Sequence, residues 1–411
     1  MQKKLLALVL RGSSMGAKFL LVIGLSKTLS TSDYGVFSLI LTSLTFLIFF
    51  LGLDFYNFSH REIIDNDSAK IQIVINQFWL HVLCYVIYLP LIYIIFASNT
   101  IPIMYFLPFY ILLILEHIGQ ELFRFLNLFN KPNQANITLF VRTALWILLM
   151  VLIEIIWRGE DLSISSILNF WIVGSLSAII YGVGFFIFKS PVKLKNINFF
   201  ILDFKWVKKG VKISIPFFLG TIAYKAIEYS DRYMIDWFMS KEDVGVYSFY
   251  TNFANIINII VNTITVTLLV PNLLRSVSAG VVEDIKIKIE NFTRELYLTT
   301  IGVSLIIVFL IFPILTWLNK EEFSNQISIY FIVLMANIIF NISLFYHFML
   351  YAYKKDKLIF KPTFYACIIN IMLNIVFIPM FGIIAAAIST LVSFSIILVL
   401  KRKYWLKIRP I

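Results

Sequence analysis

Five cations stand inside stretches that are otherwise apolar: Arg11, Lys18, Arg142, Lys225 and Arg232. Even on the lenient insertion scale a charge at mid-bilayer costs about 3 kcal/mol, so these five should not face lipid. Arg11 and Lys18 are seven positions apart and share one helical face, and Lys225 and Arg232 repeat that spacing. Buried positive charge attracts and orients negative groups, so a cationic cavity implies an anionic ligand. Lys18, Arg142 and Lys225 lie deepest in their runs and are the cations expected to line such a cavity, with Arg11 and Arg232 extending it.

Acids accompany them: Asp54, Glu116, Glu121, Glu154, Glu228, Asp231 and Asp236. Asp54, Glu116, Glu121 and Glu228 are candidates for coupling transport to an ion. A structural role competes at every position, because Glu228 and Arg232 have the favourable i,i+4 order and could neutralise each other. Glu121 and Arg124 are spaced to pair in the same way, and Arg11 can snorkel to the surface. Each cation is as compatible with a structural role as with a functional one.

The elements that position these charges are membrane helices. Hydrophobic residues make up 60% of the 411, charged residues 14%, and the mean hydropathy is +0.88. Soluble domains carry about a quarter charged residues. Apolar runs of 18 or more residues recur, whereas the ten-residue alternation of a membrane β-barrel is absent. Twelve spans are expected. The first six are 5–29, 35–57, 72–97, 101–126, 133–156 and 163–188; the second six are 213–238, 244–270, 294–318, 325–351, 358–379 and 382–400. Residues 189–212 form a linker with seven lysines, giving two six-helix lobes, 1–188 and 213–411. The apolar run from Leu5 continues past Lys18 to Leu29 without a small-residue cleavage site, so it reads as a first span rather than a signal peptide.

An internal repeat supports the two-lobe reading. TSDYGVFSLI at Thr31–Ile40 and KEDVGVYSFY at Lys241–Tyr250 align Gly35 with Gly245, 210 positions on. LNLFNK at Leu126–Lys131 and LYAYKK at Leu350–Lys355 are a weaker match. With a cytoplasmic N-terminus, 26 Lys and Arg fall in inner segments and four (Lys27, Arg158, Lys241 and Lys320) in outer loops. That bias places both termini in the cytoplasm and makes the lobes parallel repeats. It also accounts for most of the net charge of +12, so nucleic acid is not needed as a partner. Residues 282–296 have one apolar face among charges and read as a helix on the inner membrane surface, or as an extension of the ninth span.

Cys84 and Cys367 both lie in apolar runs, and His60, His81, His117 and His347 are scattered; no disulfide framework, metal motif or cofactor is indicated. A membrane-embedded glycan-assembly enzyme would need a large extramembrane loop with catalytic residues. The outer loops are short and the longest inner segment lacks paired carboxylates, so an enzyme is not expected.

Four stretches in chain order carry a family resemblance: LSTSDYGVFSL (Leu29–Leu39), GLDFYNFSHREI (Gly52–Ile63), DRYMIDWFMSKEDVGVYS (Asp231–Ser248) and NIMLNIVFIPMFGIIAAAIST (Asn370–Thr390). They resemble the multidrug/oligosaccharidyl-lipid/polysaccharide exporter superfamily, and within it the Wzx-type polysaccharide flippases. The resemblance implies a MATE-like, V-shaped pair of six-helix lobes working by alternating access in the inner membrane. It implies transfer of an undecaprenyl-diphosphate-linked oligosaccharide between leaflets for O-antigen or capsule assembly, a diphosphate that would suit the cations above. Membrane lipids surround the protein on this reading, which leaves room for polysaccharide polymerase machinery as a partner. The basic tail after Leu400 favours the O-antigen and capsule branch over peptidoglycan-precursor flippases, which carry two more helices. Drug-efflux members, which handle cations, are the alternative.

Overall fold

The computed structural model describes residues 2–65, 70–156, 162–189 and 202–408, and among them every regular element is helical. Glu154 has a described backbone only, and Arg158, Lys193 and Lys195 lie outside the described residues, as does most of the basic linker. Among the described residues twelve helices are long and apolar enough to cross a membrane. In the first half these are Val9–Thr28, Thr31–Gly52, Lys70–Ala97, Ile103–Leu128, Pro132–Ile153 and Ile164–Ile187. In the second half they are Phe204–Phe238, Lys241–Ala279, Val282–Leu318, Ile327–Ala352, Asp356–Phe381 and Ile383–Ile408. The chain is therefore an all-α multi-pass membrane protein. In hydrocarbon each backbone N–H and C=O must find its partner within the segment, which only a helix or a closed barrel provides.

Three departures from the sequence expectation have local causes. The second span stops at Gly52 because Leu53 and Asp54 both adopt φ +49°. A ten-residue helix, Tyr56–Asp65, follows where a span end and loop were expected. Left-handed backbone costs roughly 1–2 kcal/mol per residue. Burial of Phe55 and Phe58 against Leu80, Cys84 and Val207 offsets that strain.

The second departure is the ninth span, which runs unbroken for 37 residues from Val282. The surface-helix reading of 282–296 is corrected to its alternative, an extension of the span. Phe292, Leu296, Thr300, Ser304, Ile307 and Ile311 are all buried, so one stripe at steps of three or four residues continues through the expected break. Gly280, at φ +74°, ends the preceding helix.

The third is the seventh span, which begins at Phe204 and takes Lys205, Lys208, Lys209 and Lys212 onto the helix. By packing, the chain divides into one unit of Met1–Leu29 with Val36–Ile222 and another of Ser30–Gly35 with Ala223–Ile411. The division thus falls inside this helix.

Both copies of the repeat begin with the same cap. Ser30 Oγ accepts the Asp33 N–H at 3.0 Å and Ser240 Oγ accepts the Asp243 N–H at 3.1 Å. Each hydroxyl also donates to the following Asp carboxylate. Within the second unit the two copies touch reciprocally. A methyl group on Gly35 would overlap the Lys241 carbonyl oxygen, and one on Gly245 would overlap that of Thr31. Thr31 and Lys241 hold equivalent places in the repeat, so each glycine receives the backbone of the other copy.

Candidate functional site

In the first unit the fifth span contains one wide turn, Val141–Leu145, with Arg142 inside it. Such π-turns are rare and concentrate at functional positions. Trp146 Nε1 donates to the Arg142 carbonyl at 3.0 Å, occupying an acceptor in that turn. The Arg142 side chain is buried, with Nε 3.7 Å from Glu116 Oε2 and Nη1 donating to the Glu116 carbonyl at 3.1 Å. Glu116 Oε1 accepts from Trp171 Nε1 at 2.9 Å and from Ser175 Oγ at 2.6 Å. Trp146 and Trp171 stack 5.7 Å apart, and Gly174 leaves room for the Trp146 ring. Gly119 plays the same part for the guanidinium, since a methyl there would lie 2.8 Å from Arg142 Cδ.

Lys18 differs from the other four cations. Its charged neighbours are Arg142 and Glu116, and among the described residues it has no hydrogen-bond or ion-pair partner. Arg11 donates from Nε to Asn136 Oδ1 at 2.9 Å, tying the first span to the fifth instead of simply snorkelling.

A second polar chain in the same unit joins spans three and four. Glu121 accepts from Gln77 Nε2 at 2.7 Å and pairs with Arg124, as its spacing predicted. Gln77 in turn accepts from Ser59 Oγ at 2.6 Å. Asp54, held by the left-handed break, accepts from Thr221 Oγ1 at 2.6 Å.

In the second unit Lys225, expected to line a cavity, is instead paired with a local acid: its ammonium lies 2.6 Å from Glu228 Oε2, one turn on. Glu228 therefore does not neutralise Arg232 through its carboxylate, and Arg232 Nη1 instead donates to the Glu228 carbonyl at 2.9 Å. Arg232 is 2% exposed and also donates to Ser248 Oγ, Thr251 Oγ1 and Asn252 Oδ1. Asp231 stands 3.8 Å from the guanidinium and accepts from Tyr247 Oη. Arg142 is likewise paired, with Glu116. Of the five cations expected to line a cavity, three are thus matched to acids within their own unit.

Two features were missed from sequence. Lys401 was counted with the basic tail, yet the last helix continues to Ile408 and buries it at 3% exposure, 3.2 Å from His347 Nδ1. The second is a set of amides. Asn258 Nδ2 donates to Asn337 Oδ1 at 2.7 Å, Asn341 Nδ2 donates to Asn258 Oδ1, and Asn370 faces Asn374. The signal was there: asparagines three or four apart in apolar runs, at 255/258, 337/341 and 370/374. A small cavity between Glu228, Asp231, Tyr247, Asn258 and Asn337 makes this the polar interior of the second unit. Among the described residues no group of three His, Cys, Asp or Glu is placed to hold a metal ion.

Comparison with known proteins sets these networks in context. A family model described as "Polysaccharide biosynthesis protein" matches residues 1–277, two thirds of the chain. A search of curated protein sequences finds no match. Among solved structures, the chain is similar to an inward-facing multidrug resistance MATE family transporter of the MOP superfamily. The TM-score is 0.70 at 12% identity, over 96% of this chain and 93% of that one. At that identity the likeness speaks for the fold.

Proposed function

The chain belongs to the polysaccharide biosynthesis protein family, and from that premise we propose that it is a flippase for undecaprenyl-diphosphate-linked oligosaccharide repeat units. It carries them from the cytoplasmic to the periplasmic leaflet of the inner membrane by alternating access, and it is not an enzyme. The observation that supports an anionic substrate most directly is Lys18. An ammonium in a membrane span whose nearby acid, Glu116, is already tied to Arg142 is tolerable only beside water or an anionic ligand, and a diphosphate is such a ligand. Arg142 backs this position with a guanidinium already tied to Glu116. Lys225 and Arg232, whose donors are engaged, hold the second unit together on this reading.

Lys18→Gln is expected to abolish transfer of fluorescently tagged lipid-linked oligosaccharide in reconstituted vesicles while the protein inserts at normal abundance. Lys18→Arg should keep part of the activity. Normal transfer by Lys18→Gln would leave the anionic-substrate argument on the family match alone. The cation bias further orients the chain with both termini cytoplasmic. A cysteine placed at Asn99 or Asn325 should then react with an impermeant reagent from the periplasmic side of intact cells, and protection of both would reverse the orientation.

A further inference from the structure

The opening turns of the seventh span carry a face that the proposed function leaves without a task. Helix Phe204–Phe238 packs its first part through Trp206, Val207, Gly210, Val211 and the buried Ser214. Trp206 meets Phe55 and Phe58 with ring centroids 5.4 and 5.0 Å away, and a methyl on Gly210 would overlap both phenylalanines. Lys205, Lys208 and Lys212 lie on the opposite face at steps of three and four residues, and all three are exposed. Ile215 and Leu219 continue the same stripe, 43% and 48% exposed.

The charge on this stripe is unanswered. Lys209, to one side, pairs with Glu62 at 3.0 Å, whereas Lys205, Lys208 and Lys212 form no ion pair with any described residue. From Lys189 to Lys212 the sequence holds seven lysines and one acid, Asp203. The Asp203 carboxylate is engaged as a cap, accepting the Trp206 N–H at 3.0 Å. The helix is 35 residues long, about 50 Å at 1.5 Å per residue, against about 30 Å of hydrocarbon. Its first charge-free stretch, Ile213–Tyr224, begins directly after Lys212. The lysines therefore stand at headgroup level, and Ile215 and Leu219 stand beside acyl chains.

We propose that this stripe is a docking surface for anionic phospholipid, with Lys205, Lys208 and Lys212 holding headgroup phosphates while Ile215 and Leu219 receive the acyl chains. Charge complementarity selects the headgroup, because clusters of cations at the end of a membrane helix attract anionic lipid. The apolar continuation selects a lipid over a soluble anion, which would leave Ile215 and Leu219 unused. The three ammoniums are strung along about 10 Å of one exposed helix face. Such a row suits separate monoanionic headgroups, whereas one compact diphosphate needs convergent donors. Lipid docking here does not depend on the flippase reading.

The test uses the full-length protein with Leu219→Cys, labelled with a small fluorophore so that it reports lipids on the stripe; the native Cys84 and Cys367 are buried. In vesicles mixing phosphatidylcholine and phosphatidylglycerol, quenching by brominated acyl chains of each lipid gives their relative binding constant at that position. A lysine near the surface contributes about fivefold, so phosphatidylglycerol should be preferred at least about tenfold at low salt. High salt should reduce that preference several-fold. Combining Lys205→Gln, Lys208→Gln and Lys212→Gln should bring it close to one, and the matching arginine triple should keep it. Phe309→Cys, exposed in a charge-free run of the ninth span, is the control and should show no preference. A preference at Leu219→Cys no greater than at Phe309→Cys, or one that survives high salt or the glutamine triple, would overturn the assignment. So would displacement of phosphatidylglycerol by micromolar inorganic diphosphate at constant ionic strength, which would mark a pocket for a compact anion instead. The salt series keeps all three lysines, so it decides even if the glutamine triple fails to insert. Failure of lipid-linked oligosaccharide transfer would leave these readings untouched.

Discussion

Gly245→Leu is expected to remove folded protein from the membrane, and Gly35→Leu to do the same. At each position the obstacle is backbone: the Lys241 carbonyl for Gly35 and the Thr31 carbonyl for Gly245. A flexible side chain could swing away, but a helix backbone moves only by separating the two copies of the repeat. Overpacking a well-packed core costs about 1–3 kcal/mol, and a backbone-on-backbone clash belongs at or above the upper end. Small residues at helix crossings are how membrane helices approach closely without a hydrophobic driving force. Gly16→Ala and Gly24→Ala, with open space where the methyl would go, are the controls and should be nearly silent. Thermal stability of the detergent-solubilised variants, followed by size-exclusion recovery, measures the difference. Recovery of Gly245→Leu equal to that of Gly24→Ala would sink the argument.

The same crossing shows what was legible in the sequence. The repeat could be found by eye because its glycines, its acid and its caps serve one local geometry used twice. Span count and helix type were equally readable, since length and apolarity decide them in lipid. Partnership of the charges was only half readable. Glu121 with Arg124 lies within one turn and was seen, while Glu116 with Arg142 joins residues 26 apart through a tertiary contact that no spacing encodes. Lys225 with Glu228 was within reach, but the i,i+4 spacing of Glu228 and Arg232 drew attention from it. Lys401 escaped because a lysine after an apolar run looks like a cytoplasmic tail until the helix is known to continue.

Glu116→Gln is expected to destabilise the first unit more than Arg142→Gln, and the double variant less than Glu116→Gln alone. The carboxylate answers one guanidinium and accepts from Trp171 and Ser175, so its loss strands a buried cation beside Lys18, a second positive group. Breaking a buried pair from one side costs about 3–5 kcal/mol, because the remaining charge is uncompensated. The two sides are not equivalent. A carboxyl can shed its charge by binding a proton, whereas a guanidinium keeps its charge. In Arg142→Gln the orphaned Glu116 also retains its two donors and gains the nearby ammonium of Lys18. In the double variant both charges are gone and two amides of similar length can meet in the same space, which recovers most of the loss. A double-mutant cycle on melting temperature in detergent reads all three differences at once. Additive effects, or a larger loss for Arg142→Gln than for Glu116→Gln, would mean that the 3.7 Å approach of these groups carries no coupling. Arg142 would then return to the set of cations free to meet an anionic substrate.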